Sequence, residues 1–332
     1  MTAFSAMTWN VENLFRPEAG AAEAERERYE VKLGLLAGAI GRLGPDVVAL
    51  QEVGGEGPLE DLQGALGGAY AHRAVSAFHD GRGIRVAFLS RHPVREREDI
   101  VEFPEGPALD VHELTAEGKT EPVGRMGRGA LRVRVAKEGL TVDLISCHLK
   151  SKLLSFPRPW GTSFAPRDEG ERAQVAGIAL MRRAAEAVTL RLRANALLGG
   201  GDGTPLLLMG DLNDVPEAQT SLLLNGPAGS EIGTPGFGRP DKGDDWRLFN
   251  LAPLIPQARR FSRVERGRPE LLDQILASVE LFPEGEDGKR RLPEADSHVD
   301  FRERLPSVTG DPGEREGDVA PDHAPVTATF DL

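Results

Sequence analysis

Short apolar segments that end in polar residues recur along the whole chain. Seven of them have the length and composition of β-strands, and residues 205–210 form an apolar run typical of a strand buried on both faces. In 129–136, by contrast, Leu131 and Val133 alternate with arginines, which predicts a strand with one solvated face. The predicted strands are 4–10, 46–52, 84–90, 129–136, 140–149, 205–210 and 323–332.

Two longer segments have helical periodicity. In 23–43 the apolar residues recur at spacings of three and four, and Gly44 with Pro45 ends the segment. A second helix is predicted over 168–197, where Asp168 followed by Glu171 resembles a capping box. Its predicted buried stripe comprises Ala176, Leu180, Ala184 and Val188.

The remaining segments complete an α/β pattern. A short helix is expected over 216–224, and 259–264 is expected to form a hairpin with 270–278. Residues 283–320 are rich in proline, glycine and charge, which predicts a long polar surface excursion. With no internal repeat and no linker, 1–332 is interpreted as one α/β domain with largely antiparallel sheets.

The composition and net charge of the chain limit the classes of protein that it resembles. The chain has 332 residues and a formal net charge of −12, whereas a protein that wraps long duplex DNA is usually basic. Cys147 is the single cysteine, so no intrachain disulfide can form. No signal peptide or membrane span is visible, which predicts a cytoplasmic location, and nothing indicates an obligate protein partner.

Polar residues stand at the ends of most predicted strands. Each could be an ordinary turn, cap or structural residue, but Asp273 lies within an otherwise apolar run, where a carboxylate needs a stabilising partner. One explanation covers all of them: the strand ends converge on a single polar site. The residues concerned are Asn10, Glu12, Gln51, Glu52, His148, Asp211, Asn213, Asp273, Asp322 and His323.

The side chains of this predicted site indicate its chemistry. Carboxylates and amides favour a hard, oxygen-bound cation, Mg²⁺ or Mn²⁺, over zinc. Histidines with a supporting acid can transfer protons and stabilise negative charge. No GxSxG motif supplies a serine nucleophile. The combination favours hydrolysis of a charged ester, phosphate above all.

The order of the motifs resembles a known superfamily. "TWNVEN", "DVVALQEV", "SCHLKSK", "MGDLNDVPEA", "LLDQILAS" and "PDHAPV" follow one another like the blocks of the endonuclease/exonuclease/phosphatase (DNase I-like) superfamily. The resemblance implies a four-layer αββα sandwich, with two mixed, mostly antiparallel sheets packed face to face. Two positions depart from the family pattern: Pro321 stands where serine is usual, and Gln274 where an aromatic residue or histidine is common.

The resemblance also implies roles for individual residues. Glu52 resembles the principal metal ligand, with Glu12, Asp322 and Asn10 near the ion. Asp211 and Asn213 resemble the pair that orients or deprotonates water. His323 resembles the histidine that contacts the scissile phosphate, with Asp273 fixing its tautomer. His148 matches a second histidine that donates to a phosphoryl or leaving oxygen. Asp211 and His323 both remain candidates for the general base.

The implied activity is metal-dependent phosphodiester hydrolysis by in-line attack of water. A nuclease, endo- or exonucleolytic, is the first interpretation, because "HLKSK" resembles the bacterial nuclease-like branch. A phosphomonoesterase or phosphodiesterase acting on a small or lipid-derived phosphate ester is the alternative. A catalytically silent binding scaffold is the second alternative.

Side chains outside the implied catalytic set are candidates for substrate contact. Lys150, Lys152 and Arg128 are predicted to contact a phosphodiester substrate, with nucleic acid favoured as the partner. Trp160 and Phe164 lie in the proline-rich segment that follows. Stacking on a base is one use for them, and packing on the core as loop anchors is the expected one.

Overall fold

Two six-stranded sheets form the centre of the fold in a computed structural model, which describes residues 2–105, 109–240, 246–299 and 319–332. The first sheet has the order β17-β18-β1-β2-β4-β3. Its strands are β1 (Ala3–Leu14), β2 (Val47–Val53), β3 (His72–Val75), β4 (Arg85–Ser90), β17 (Glu294–Ser297) and β18 (Val326–Asp331).

The second sheet has the order β13-β16-β12-β9-β8-β5. Its strands are β5 (Val94–Glu102), β8 (Arg125–Lys137), β9 (Leu140–His148), β12 (Leu206–Asp211), β13 (Leu248–Asn250) and β16 (Asp273–Ser278). Within these two sheets, β1 with β2 and β9 with β12 are parallel pairs, whereas the other pairs of strands are antiparallel.

Helices and three small hairpins surround the sheets. The helices are α1 (Glu23–Leu43), α2 (Glu56–Ala65), α3 (Glu169–Leu198) and α4 (Gln219–Leu222), with single 3₁₀ turns at Ala252–Leu254, Gln257–Arg259 and Val279–Leu281. The hairpin strands are β6 (His112–Leu114) with β7 (Thr120–Pro122), β10 (Phe156–Arg158) with β11 (Gly161–Ser163), and β14 (Arg263–Glu265) with β15 (Arg268–Glu270). No helix in the described ranges has both the length and the hydrophobicity needed to cross a membrane.

Three buried apolar clusters separate four layers. The inner faces of the two sheets meet in the first cluster, where Phe88 lies with Val133 and Met209. The outer face of the first sheet packs on α1 and α2, and that of the second packs on α3. Since successive residues of a strand point to opposite faces, each central strand is apolar on both sides. The predicted αββα sandwich is confirmed.

The long helix begins and ends close to the prediction, but its predicted buried face is wrong. Asp168 caps the helix by accepting a 2.8 Å hydrogen bond from the amide of Glu171. Leu180, placed in the buried stripe, is 49% exposed. The face that packs on the sheet is rotated around the helix axis and includes the charged residues Arg183 and Glu186, so hydrophobicity alone did not identify it.

Two further expectations differ from the structure. The hairpin expected between 259–264 and 270–278 forms only at its closed end, where Arg263 pairs with Glu270 in the β14–β15 hairpin. Its turn is at Arg266 and Gly267, which both have positive φ, whereas β16, the rest of the second segment, joins the second sheet. Within the predicted excursion 283–320, Glu294–Ser297 forms the edge strand of the first sheet. Residues 300–318 of that excursion lie outside the described residues.

The expected packing of Trp160 and Phe164 on the core is also wrong. Trp160 is 82% exposed and Phe164 is 67% exposed, on and beside the β10–β11 hairpin. Leu153, which precedes the hairpin, is 63% exposed. These side chains are therefore exposed to solvent instead of anchoring their loop.

An ion pair joins the two sheets at the end where β2 begins. The Lys137 ammonium, at the end of β8, lies 2.9 Å from each carboxylate oxygen of Asp46, which precedes β2. The same carboxylate accepts hydrogen bonds from the Ser5 amide at 2.9 Å and from His92 Nε2 at 2.7 Å. Burial alone would raise the pKa of Asp46, but the hydrogen bonds from Lys137 and His92 outweigh burial and lower it.

Replacing Asp46 by asparagine is expected to lower the free energy of unfolding by about 1 to 2 kcal/mol at pH 7, because the hydrogen bonds to a charged group are weakened. The folded pKa of Asp46 is below its unfolded value, so its contribution is present above about pH 4 and is lost as the pH falls through the folded pKa. Urea unfolding of both proteins from pH 7 to pH 3 measures this difference. The exposed Asp287→Asn is the control, and a difference that stays constant with pH would contradict the assignment.

Candidate active site

The topology brings the predicted site residues to one edge of the sandwich. β1, β2, β9 and β12 all end at this edge, and β16 and β18 begin there because they run antiparallel to β12 and β1. In the register, Asp211 lies opposite His148 on one side and Asp273 on the other. The site therefore contains contributions from both sheets.

The apolar inner faces of the strands become polar just before this edge. Thr8 Oγ1 donates to Gln51 Oε1 at 3.3 Å, and Gln51 Nε2 donates to Ser146 Oγ at 3.1 Å. Thr8 and Gln51 belong to the first sheet and Ser146 to the second, and all three are fully buried. This polar bridge was not predicted from the sequence, which showed Gln51 only as a polar residue near a strand end.

Beyond the bridge, Asn10 connects the carboxylates of the two sheets. Its Nδ2 donates to Asp211 Oδ2 at 3.0 Å and lies 3.4 Å from Glu52 Oε1. The other oxygen of Glu52 accepts from the backbone amide of Asn13 at 3.1 Å. Asn10 and Asp211 are each only 2% exposed, so these polar groups are paired inside the protein.

The backbone at the site is held in an uncommon conformation. Glu12, Asn13, Glu52 and Asn213 have φ between 47° and 65°, the left-handed region that residues other than glycine seldom occupy. Glu52 lies at a register shift in the pairing of β2 with β4, so a bulge sets the direction of its side chain. Such strain concentrates where a side chain must be held in place for function.

A glycine permits the close approach of β12 to β9 beside Asp211. Gly210 has a φ of 152°, and a Cβ atom at this position would lie 1.9 Å from the carbonyl oxygen of Cys147. No other amino acid fits without moving one of the two strands. The adjacent side chains of His148 and Asp211 are brought together by this contact, with Nε2 of the histidine 3.3 Å from Oδ2 of the aspartate.

Asp273 and His323 form a buried pair. His323 Nδ1 lies 2.5 Å from Asp273 Oδ2, and the two side chains are 6% and 0% exposed. Ser262 Oγ accepts the backbone amides of Leu272 and Asp273, each at 3.1 Å, and Trp9 Nε1 donates to the carbonyl of His323 at 2.8 Å. Ser262 has no charge or motif that would have marked it in the sequence.

Charge and burial shift the pKa values of the site in different directions. Burial raises the pKa of Asp211, and burial with the charges of Arg128 and His323 lowers the pKa of His148 well below its usual value. For His323, burial lowers the pKa, but the charges of Asp273 and Asp322 outweigh it and raise the pKa. The two histidines therefore differ: His148 favours its neutral form and His323 its protonated form.

Glu12 and Asp322 connect the ends of β1 and β18. Glu12 Oε2 accepts the backbone amide of Asp322 at 3.0 Å, and the Glu12 amide donates to Asn10 Oδ1 at 3.0 Å. The carboxylate of Asp322 accepts from Arg263 Nε at 2.9 Å. Arg263 was missed in the sequence, where it appeared only as one basic residue among several in an expected strand.

The remaining predicted residues lie at the side of the site where β9 and β12 end. Asn213 Nδ2 donates to the carbonyl of Leu149 at 3.0 Å. Lys152 Nζ lies 3.1 Å from Glu270 and 3.3 Å from Asp214, so two carboxylates already bind it. Arg128 donates to the carbonyl of Leu149 at 3.0 Å, and Lys150 lies against backbone carbonyls.

The carboxylates of Glu52 and Asp211, joined through Asn10, offer oxygen atoms of the kind that a hard metal ion binds. In the described ranges, no group of three or more His, Cys, Asp and Glu side chains is arranged to hold one. Mg²⁺ commonly binds through only one or two carboxylates and keeps several waters, so the donor set fits a hard divalent cation. Glu52, with a side chain 14% exposed, is the donor nearest solvent of the two.

Solved structures with the same fold cover nearly the whole chain. Truncated TDP2 of Caenorhabditis elegans is 17% identical with a TM-score of 0.56, over 99% of this chain and 98% of that one. Sphingomyelinase C of Streptomyces griseocarneus is 16% identical with a TM-score of 0.56, over 100% of both chains. An endonuclease/exonuclease/phosphatase of Bacteroides vulgatus is 12% identical with a TM-score of 0.55, also over 100% of both chains.

Sequence comparison identifies the family. A comparison with curated proteins found no match to the chain. The model of the Endonuclease/Exonuclease/phosphatase family matches residues 7–288, which include the ends of all the site strands except β18. The chain therefore belongs to the Endonuclease/Exonuclease/phosphatase family and is, like the members of that family, a phosphoric ester hydrolase.

Proposed function

We propose that the chain is a divalent-metal-dependent phosphodiester hydrolase whose substrate is a nucleic acid. The observation that carries this proposal is the meeting of Asn10, Glu52 and Asp211 across the two sheets. Because both sheets contribute to that cluster, we further propose that residues 1–332 act as a single catalytic domain. The excursion 283–320 belongs to the same domain in this proposal.

Glu52 would hold the metal ion, with Asn10 beside it and with Glu12 and Asp322 near it. The ion, Mg²⁺ or Mn²⁺, would supply positive charge to a phosphoryl oxygen and to the leaving oxygen. The hydrogen bonds from Asn10 and from the Asn13 amide orient the Glu52 carboxylate before any ion binds. A fixed carboxylate of this kind lowers the reorganisation needed for metal binding.

Of the two candidates for the general base, Asp211 suits the role better. His323 lies between two carboxylates, with Asp273 bound to Nδ1 and an oxygen of Asp322 3.8 Å from Nε2. This environment favours a protonated ring, which donates to a phosphate oxygen and does not take a proton from water. Asp211, assisted by Asn213, would orient and deprotonate the water, and His148 would donate to the phosphoryl or leaving oxygen.

Two observations favour nucleic acid over other phosphate esters. TDP2 of D. rerio, 14% identical with a TM-score of 0.53, was solved with a single-strand DNA product. The exposed Trp160 and Phe164 are available for stacking on unpaired bases, which are aromatic and flat. The similarity to a sphingomyelinase C keeps a lipid-derived phosphodiester as the second candidate.

Glu52→Gln is expected to lower kcat on bis-p-nitrophenyl phosphate at least about a hundredfold, because an amide binds a cation more weakly than a carboxylate. The Mg²⁺ concentration for half-maximal rate should rise in the same variant, and EDTA should abolish hydrolysis by the wild type. Glu60→Gln, a change on the exposed side of α2, is the control. An unchanged Mg²⁺ dependence in Glu52→Gln would remove Glu52 from the metal site.

His323→Ala is expected to lower kcat at least about a hundredfold, the scale of losing one proton-transfer or charge-stabilising group. If Asp273 acts through His323, the double variant Asp273→Asn/His323→Ala should be no slower than His323→Ala alone. Steady-state rates of Asp273→Asn, His323→Ala and the double variant, with circular dichroism to verify folding, measure this coupling. If the fold decrease in kcat of the double variant equals the product of the decreases in the two single variants, Asp273 and His323 act independently.

The protein is expected to nick supercoiled plasmid and to hydrolyse bis-p-nitrophenyl phosphate, both in a metal-dependent way. It is not expected to release p-nitrophenol from the monoester p-nitrophenyl phosphate. Incubations with Mg²⁺, Mn²⁺ or EDTA separate these activities. Sphingomyelin vesicles form a further arm of the experiment. Hydrolysis of sphingomyelin or of the monoester, with DNA left intact, would contradict the assignment of a nucleic-acid substrate while retaining phosphoric ester hydrolysis.

A further inference from the structure

A polar cavity opens at the segment that follows His148 and the end of β9. We call it the cationic pocket, because three basic side chains line it; its volume is about 310 Å³. It lies between the start of β8, the segment after β9 and the middle of α3. The lining residues are Asp80, Gly81, Glu113, Gly127, Arg128, Lys150, Arg182 and Glu186.

The basic side chains of the cationic pocket have unused hydrogen-bonding capacity. Lys150 Nζ contacts only the carbonyls of Ser151 at 3.3 Å and Leu153 at 3.5 Å, and no carboxylate in the described part of the chain forms an ion pair with it. Arg128 Nε and Arg182 Nε are buried without a hydrogen-bond partner among the described residues. Burial, together with the charges of these two arginines, lowers the pKa of Lys150 to about 8.

The buried acid of the cationic pocket, Glu186, is bound by backbone amides and forms part of the pocket wall. Glu186 is fully buried, and its two oxygens accept the backbone amides of Gly127 at 2.8 Å and Lys150 at 2.6 Å. Arg182 Nε is 3.7 Å away from it, too far for a hydrogen bond. The Glu186 carboxylate therefore joins the start of β8 to the segment that follows β9.

The other two acids bind the arginines loosely. Asp80 lies 3.6 Å from Arg128 Nε, and Glu113, whose side chain is 55% exposed, lies 3.3 Å from Arg182. Glu113 is exposed, and an ion pair of an exposed carboxylate contributes little, so a better acceptor can replace it at Arg182. Asp80, whose side chain is 17% exposed, lies beyond hydrogen-bond distance and leaves Arg128 Nε unpaired among the described residues. A phosphate oxygen, with more negative charge and several acceptor oxygens, is such an acceptor for arginine.

The cationic pocket is close to the catalytic cluster along the chain. Lys150 follows His148 by two residues, and two residues of extended chain span about 7 Å. Arg128 is fixed to the same segment by its hydrogen bond to the carbonyl of Leu149. A group bound in the cationic pocket can therefore belong to the same substrate molecule as a phosphodiester bound at His148 and His323.

We propose that the cationic pocket binds a second phosphate group of the substrate, next to the phosphodiester that is hydrolysed, through Arg128, Lys150 and Arg182. This inference rests on the proposed function and adds a requirement to it. The preferred substrates carry at least two phosphate groups in succession, as a polynucleotide does and a phosphodiester with a single phosphate does not. Arg182, on α3, has no role in the chemistry itself and acts only on the second phosphate.

The experiment compares the dinucleotide TpT, which has one phosphodiester, with pTpT and TpTp, which add a terminal phosphate on either side. In the wild type, one of the two longer substrates should have kcat/KM at least about tenfold above that of TpT, the effect of one or two charge-assisted hydrogen bonds. Arg182→Gln should bring this ratio to within about threefold of one. Arg172→Gln, on the same helix and 48% exposed, should keep the ratio of the wild type.

Binding separates failure of the cationic pocket from failure of the proposed function. Titration calorimetry in EDTA compares thymidine monophosphate with thymidine 3′,5′-bisphosphate on the wild type, Arg182→Gln and Arg172→Gln. Tighter binding of the bisphosphate that is lost only in Arg182→Gln supports the inference, even if no substrate is hydrolysed. Equal binding of the two ligands by the wild type, or equal rates on TpT and both longer substrates, would overturn it while leaving phosphodiester hydrolysis intact.

Discussion

The site depends on hydrogen bonds that cross from one sheet to the other. Through most of the sandwich the two inner faces meet as apolar side chains, whose packing is not directional. Near the edge this apolar contact is replaced by hydrogen bonds, first between Gln51 and Ser146 and then between Asn10 and Asp211. The strength of a hydrogen bond depends on both its distance and its angle. The separation of the sheets at this end is therefore set by polar pairs, and the carboxylates of Glu52 and Asp211 take their positions from them.

Much of this arrangement follows from the amino-acid pattern alone. The apolar runs located the central strands, and α1 begins and ends where its periodicity and Gly44 indicate. Parallel and antiparallel pairing then decides which strand ends meet, and the polar residues at the strand ends indicated that six of them do. Asp273 was marked as unusual because a carboxylate in an apolar run requires a partner, and His323 is bonded to it in the structure.

The remaining features have no local signal in the sequence. The inward face of α3 carries Arg183 and Glu186, whose burial depends on partners that are distant in the chain: Asp214 for the arginine and two backbone amides for the glutamate. Edge strand β17 lies in a segment rich in charge and proline and is identified only by its pairing with β18. Ser262 and Arg263 act on Asp273 and Asp322 through contacts that short motifs do not encode. In each case the information lies in the tertiary structure.

Gly210 has a consequence for comparing this chain with others. A methyl group at this position would overlap the Cys147 carbonyl, so the side chains of His148 and Asp211 can be neighbours only where β12 carries glycine. Alanine or serine at the equivalent position of an aligned protein implies a wider gap between those two strands, however similar the surrounding motif. A single-atom difference at a strand position without a side chain in the site can thus distinguish proteins that share this geometry from those that share only the sequence motif.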